Sequence, residues 1–146
     1  MTTDTLLRLE RDFDTPRERV FDAWLDPNIF PRWFGPQSVR IADFGIDARQ
    51  GGDWHAVMEN GEGQRYHVSG IYHEIARPDR LVFTWAWHND GIRGEESVVH
   101  LTFEDTGNGT RLIVEHHGLV GEDAVNHNEG WDSSLASLAE ELGQVR

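Results

Sequence analysis

The 146-residue sequence contains no cysteine. Disulfides, thiolate metal ligands and cysteine nucleophiles are therefore excluded together. It contains no lysine either, since all 13 basic residues are arginine. That removes Schiff-base chemistry, a lysine general base and a phosphate-loop lysine. No apolar run approaches the roughly 20 residues that a membrane-spanning helix needs. The opening "MTTDTLLRLERDFDTPRERV" has no basic stretch followed by an apolar block, so no secretory leader is expected. These absences point to the cytoplasm. Positive charge is also scarce, with 26 acidic residues against 13 basic ones and a formal net charge of −13. Such a chain repels phosphate backbones and anionic lipid surfaces, so neither nucleic acid nor a membrane is expected as a partner.

Several catalytic signatures are missing as well. There is no GxSxG elbow, and "GNGTR" and "RQGGDW" read as turns rather than nucleotide-binding loops. Eight histidines invite a metal, but their spacing does not favour one. His116 and His117 are adjacent on a strand and point to opposite faces. His67 and His73 share a face but lie about 20 Å apart along it. No metal and no cofactor are expected.

What is present is a globular composition, with 38% hydrophobic and 10% aromatic residues, and no repeat or linker. One domain over 1–146 is the reading, long enough to bury a real core. Residues 5–13, "TLLRLERDF", alternate as a strand. In "TPRERVFDAWLD", Thr15 is placed to cap a helix, Pro16 suits its first position and Glu18 completes a capping box. "PNIFPRWF" follows as a second short helix, ended by Gly35 and Pro36. Strands are expected near 38–47, 53–59, 65–76, 80–88, 96–105 and 110–117, separated by Gly, Asn, Asp and Pro clusters. From about 123 the period changes, and Trp131, Leu135, Leu138 and Leu142 form one stripe of a long helix. Asn126 and Glu129 are candidates to cap it, and Gly130 to let it approach the short helices closely.

The stretch "LVFTWAWH" at 81–88 puts Leu81, Phe83, Trp85 and Trp87 on one strand face. With Pro78 and Asp79 at the centre of the "RPDR" turn, Tyr72 pairs with Trp85, Glu74 with Phe83 and Gly70 with Trp87. A four-residue "TGNG" loop pairs Phe103 with Leu112, Leu101 with Val114 and Val99 with His116. A helix covering this face closes a core. Large flat side chains on both surfaces, with a few inward polar groups, also suit a small-molecule cavity.

The stretches "RDFDTPRERVFDAWLDPNIFPRWFGP", "DARQGGDW", "SGIYHEIARPDRLVFTWAW", "TRLIVEHHGL" and "HNEGWDSSLASL" occur in this order. Together they resemble the AHSA1-like family, homologues of the C-terminal domain of the activator of Hsp90 ATPase, within the START-like (SRPBCC) superfamily. The resemblance runs from about 8 to 142. It implies an α+β helix-grip fold, a curved seven-stranded antiparallel sheet around a long C-terminal helix with two short helices after the first strand. It also implies an apolar cavity between sheet and helix for a hydrophobic ligand. The family has no universal catalytic set to carry over.

The expected function is binding of a small hydrophobic, aromatic-type molecule. The expected lining is Trp54, Tyr66, Tyr72, Trp85, Trp87, His116, Trp131 and Leu135, with Trp33 near the mouth. Two alternatives share these residues or this fold. One is a cyclase- or hydrolase-type enzyme with His116 as acid or base, against the plainer reading of His116 as a hydrogen-bonded core residue. The other is an interaction module that engages an Hsp90-type chaperone. Arg40, Arg49 and Arg65 are weighed as anchors for a carboxylate at the mouth, against ordinary solvated surface. A homodimer would follow if Phe30, Trp33 and Phe34 were exposed.

Overall fold

The computed structural model describes residues 5–119 and 122–143. In chain order the elements are β1 (Thr5–Phe13), α1 (Arg17–Asp22), α2 (Phe30–Trp33), β2 (Val39–Ile46), β3 (Asp53–Asn60) and β4 (Arg65–Ala76). They continue with β5 (Arg80–Asn89), β6 (Ile92–Arg93), β7 (Ser97–Asp105), β8 (Thr110–Leu119) and α3 (Glu122–Glu141). The strands form one antiparallel sheet in the order β1-β8-β7-β5-β4-β3-β2, with the two-residue β6 pairing beside β5. The sheet curves around α3, whose Trp131, Leu135 and Leu138 are buried, as is Leu142 just past its end. This is the helix-grip arrangement that the resemblance implies.

Turn chemistry explains most boundaries. Asp90 and Gly91 both have positive φ, 52° and 79°, which suits a two-residue hairpin between β5 and β6. The sequence reading treats this stretch only as a turn. Leu101 pairs with Val114, Phe103 with Leu112 and Val99 with His116, as the four-residue loop predicts.

The β4–β5 register differs from expectation. Ala76 pairs with Arg80 across a three-residue loop, and a bulge between Tyr72 and Glu74 moves the pairing by one more residue. Tyr72 therefore faces Phe83 and Val68 faces Trp87. The total offset is two residues, one from the turn and one from the bulge. Because side chains alternate with a period of two, the expected faces survive from Tyr72 back to His67 although every partner changes. Between turn and bulge the offset is one, and Glu74 lies opposite Val82 on the outer face rather than opposite Phe83. Gly70 does face a tryptophan, but it is Trp54 on β3 rather than Trp87.

Three local expectations are corrected. The first helix begins after Pro16, whose carbonyl accepts the Arg19 and Val20 amides. Thr15 is instead buried, and its carbonyl accepts the Thr110 hydroxyl at 2.6 Å. The backbone of α3 starts at Glu122, so Asn126 and Glu129 lie inside the helix rather than at its cap. Their side chains lie outside the described residues. Phe30, Trp33 and Phe34 are buried in the chain's own core, which removes the exposed aromatic surface on which a dimer was expected. Gly130 does bring α3 near the short helices: a Cβ there would sit 3.8 Å from the Pro36 ring.

β5 is the central strand and is buried on both faces from Leu81 to Ala86. Its inner face carries the large residues, and its outer face carries Val82, Thr84 and Ala86.

Candidate functional site

The aromatic side chains of the inner face divide into two groups along β5. At one end Trp24, Phe30, Phe34, Trp54, Tyr72, Leu81 and Phe83 close around a void of only about 10 Å³. Trp24 meets Trp33 edge-on at 4.6 Å, Trp54 meets Phe83 at 5.5 Å, and the Trp33 indole donates to the Ala23 carbonyl at 3.0 Å. α2 and its flanking residues bring Trp24, Phe30, Trp33 and Phe34 against Trp54 and Phe83 of the sheet, and these rings fill that end of the concave surface. Burial raises the Tyr72 phenol pKa, helped by the nearby negative charges of Asp47 and Asp53.

At the other end the interior is open. A cavity of about 630 Å³ lies between α3, the segment after α2 and the ends of β3, β4 and β5. Trp85, Trp87 and Trp131 supply three indoles to its wall, with Phe34, Pro36 and Met58 beside them. Trp85 stands at the divide, 5.5 Å from Trp87 at a steep 80° and 5.6 Å from Trp54 in the filled end. Tyr66, at 43% exposure, marks the mouth, and the buried Ser134 on α3 brings a hydroxyl to the wall.

Of the residues expected to line a site, Tyr66, Trp85, Trp87 and Trp131 border this cavity. Trp33, Trp54 and Tyr72 belong to the filled end, and Trp33 is nowhere near a mouth. Leu135 is packed in the core under α3. The alternation that selects all of these residues cannot tell a ring that fills the interior from one that walls a gap.

His116 is fully buried between strands and helix. Its Nε2 lies 2.7 Å from the Ser97 hydroxyl, and its Nδ1 accepts the Trp131 indole N–H at 3.1 Å. Ser97 in turn donates to the Trp85 carbonyl at 3.2 Å. Both ring nitrogens are thus engaged by the protein, which is the geometry of a structural histidine. The network fixes the angle of Trp131, and so shapes the cavity wall from behind.

The outer face of the sheet reaches the cavity where it opens at the strand ends. Arg65, His67 and His88 border it there. His67 and His88 stack at 3.9 Å with their planes 11° apart, and His55 lies edge-on to His67 at 5.8 Å. Asp43 approaches His55 at 3.3 Å, and Ser69 bonds His88 at 2.7 Å. Burial lowers the pKa of His67, and His88 and His55 add to the effect. Parallel stacked rings do not converge their nitrogen lone pairs, so this row is not arranged as a chelate. It was not legible beforehand because it joins three strands, and only the β3–β4–β5 register brings it together. Arg65 donates from Nε to Glu59 at 3.0 Å, and Arg40 bonds the other oxygen of the same carboxylate. Arg49 pairs with Asp47 in a turn away from the cavity.

Comparison with known proteins agrees with this fold. A family profile described as "Activator of Hsp90 ATPase homolog 1-like protein" matches residues 14–143. Among solved structures, the AHSA1 protein of Silicibacter pomeroyi is 41% identical, with a TM-score of 0.86 over 95% of this chain and 98% of that one. A protein of Chromobacterium violaceum is 26% identical, with a TM-score of 0.87 over 97% and 98% of the two chains. One of Nitrosomonas europaea is also 26% identical, with a TM-score of 0.82 over 95% and 94%. No curated protein matches the chain.

Proposed function

The chain belongs to the activator of Hsp90 ATPase homologue 1-like family, and from that premise we propose that it binds a small, flat, apolar molecule between sheet and α3. The observation that carries this reading is the cavity of about 630 Å³ walled by Trp85, Trp87 and Trp131. Pockets for drug-sized ligands run from roughly 300 to 1,000 Å³ and are mostly apolar, with a few polar groups for orientation. Trp87 stands at 80° and Trp131 at 47° to Trp85, so the three indoles offer both ring faces and ring edges to an aromatic guest. Each Å² of apolar surface that such a guest buries contributes about 25 cal/mol. Ser134 supplies an inner hydrogen-bonding point, and the residues at the mouth supply an outer one.

Native mass spectrometry of freshly purified protein tests the reading directly. The expected result is an adduct of small-molecule mass that disappears on gentle activation and is depleted in Trp87→Ala. An unliganded spectrum, together with no quenching of tryptophan fluorescence by any aromatic probe, would overturn it. The same preparation probed with an Hsp90-type chaperone distinguishes ligand binding from the interaction role that the family description suggests.

A further inference from the structure

Resting on that binding function, we propose that the cavity selects ligands carrying an oxyanion, seated against the Arg65 guanidinium where the indole-walled interior meets solvent. The chain as a whole carries a net charge of −13. Yet among the described residues bordering the cavity, the one formally charged side chain is Arg65. Its Nε is bonded to Glu59, and among the described residues nothing bonds the two terminal nitrogens of its planar fork, which can meet an oxyanion. Guanidinium suits that task because it presents paired N–H donors to carboxylate or sulfonate oxygens.

Glu59 does not cancel this charge. Its carboxylate is shared between Arg40 and Arg65, so two cations face one anion and one positive unit is left over. The hydrogen bond from Arg65, with Arg40 beside it, holds the Glu59 carboxyl below the usual range. His67 and His88 continue the rim with further ring nitrogens. Repulsion from the distant acidic surface fades within about 8 Å at physiological ionic strength, so the local guanidinium governs a ligand at the mouth. Apolar rings inside and an oxyanion outside describe an amphipathic aromatic acid.

Two dyes separate the parts of this inference. 8-Anilinonaphthalene-1-sulfonate and N-phenyl-1-naphthylamine share the same rings and differ by the sulfonate. Titration with each is followed by dye fluorescence and tryptophan quenching, in the wild type and in Arg65→Gln. Arg65 is largely exposed, and thermal unfolding confirms that the variant folds. The sulfonate dye is expected to bind about fivefold more tightly than the neutral one, the scale of a charge-assisted contact at a partly solvated site. Arg65→Gln is expected to abolish that advantage and leave the neutral dye unchanged within about twofold. Added salt weakens only the sulfonate dye. Equal affinity for both dyes, or an equal loss for both in Arg65→Gln, would overturn the oxyanion assignment alone. Failure of both dyes to bind the wild type would overturn the ligand-binding reading beneath it.

Discussion

The indole N–H of Trp54 on β3 reaches over Gly70 of β4 and donates to the main-chain carbonyl of Thr84 on β5, 3.2 Å away. The contact spans three strands because the β4–β5 ladder is interrupted at this point. Ser69 pairs with Ala86 and Tyr72 with Phe83, but the residues between them do not pair. The Ile71 amide turns instead to the Thr84 hydroxyl at 2.9 Å. A side chain at position 70 would end the arrangement, since its Cβ would lie 1.8 Å from the Thr84 carbonyl oxygen and 2.5 Å from the Trp54 indole nitrogen. Backbone cannot yield as a flexible side chain can.

Gly70→Ala is therefore expected to destabilise the fold by about 3 kcal/mol or more, which places it in the tail of single-substitution effects. Trp54→Phe keeps most of the ring volume but removes the donor, and about 1–2 kcal/mol is expected from the carbonyl left buried. Urea denaturation measures both. A Gly70→Ala midpoint equal to wild type would mean that the three strands separate more easily than their packing implies.

Much of this region was legible in the sequence, and the rest shows where pattern stops. Strand limits follow from turn residues, so β4 is read at its exact bounds and β7 to within a residue. The pairing of Gly70 is misread because the "RPDR" loop takes three residues rather than two and the bulge at Tyr72 leaves no mark in composition. Beyond the bulge the faces survive because the two errors add to an even number, while Glu74, before it, is turned to the outer face. The division between Trp54 and Trp87 is a different matter. Both are inward tryptophans, on β3 and β5 with β4 between them, and only the packing of α2 and its flanking residues decides that one fills space and the other borders it.

The tautomer of His116 is set by its neighbours. An indole N–H can only donate, so Nδ1 facing Trp131 must carry a lone pair. The ring hydrogen then sits on Nε2 and points to the Ser97 oxygen. Long-range proton–nitrogen NMR is expected to show His116 neutral with its hydrogen on Nε2, and an Nδ1–H pattern would refute the assignment. Trp131→Phe strands that lone pair, and Ser97→Ala removes the partner of Nε2. Each is expected to cost about 1–2 kcal/mol in denaturant titrations.

Acid is expected to weaken the fold through two outer-face histidines. Burial lowers the His67 pKa, with His88 and His55 adding to it against the pull of Asp43. Burial also lowers that of His100, with Arg80 and His117 adding to it against Glu115 and Glu74. The unfolded chain titrates near 6.5 and the folded one lower, so between these values the unfolded state binds more protons. Stability therefore falls as pH drops through about 6.5 and stops falling below the folded values. Glu59, depressed by Arg65 and Arg40, acts in the same direction at lower pH, its contribution being lost as the carboxylate protonates. Protonation also relieves self-repulsion of the acidic surface, which opposes the trend. The decisive comparison is accordingly between wild type and a His67→Gln, His100→Gln double variant. The drop in Tm from pH 7.5 to 5.5 is expected to be smaller in the double variant, and identical drops would exclude these two groups as its source.

Filling the cavity from α3 tests which end of the interior takes the guest. Ser134 is buried in the cavity wall on the face of the helix that carries Trp131 and Leu135. A phenyl ring placed there by Ser134→Phe would enter space that is already open, rather than press on packed atoms. Overpacking a filled core costs roughly 1–3 kcal/mol, whereas occupying a void adds contacts without displacing any. The variant is therefore expected to keep the wild-type Tm or exceed it by a few degrees. Its affinity for N-phenyl-1-naphthylamine should fall at least about tenfold, equivalent to about 1.4 kcal/mol. Val68→Phe sets the opposite case, because Val68 is fully buried on the inner face and borders neither void. That change is expected to lower Tm. Undiminished dye binding by a folded Ser134→Phe protein would place the guest somewhere other than between the three indoles.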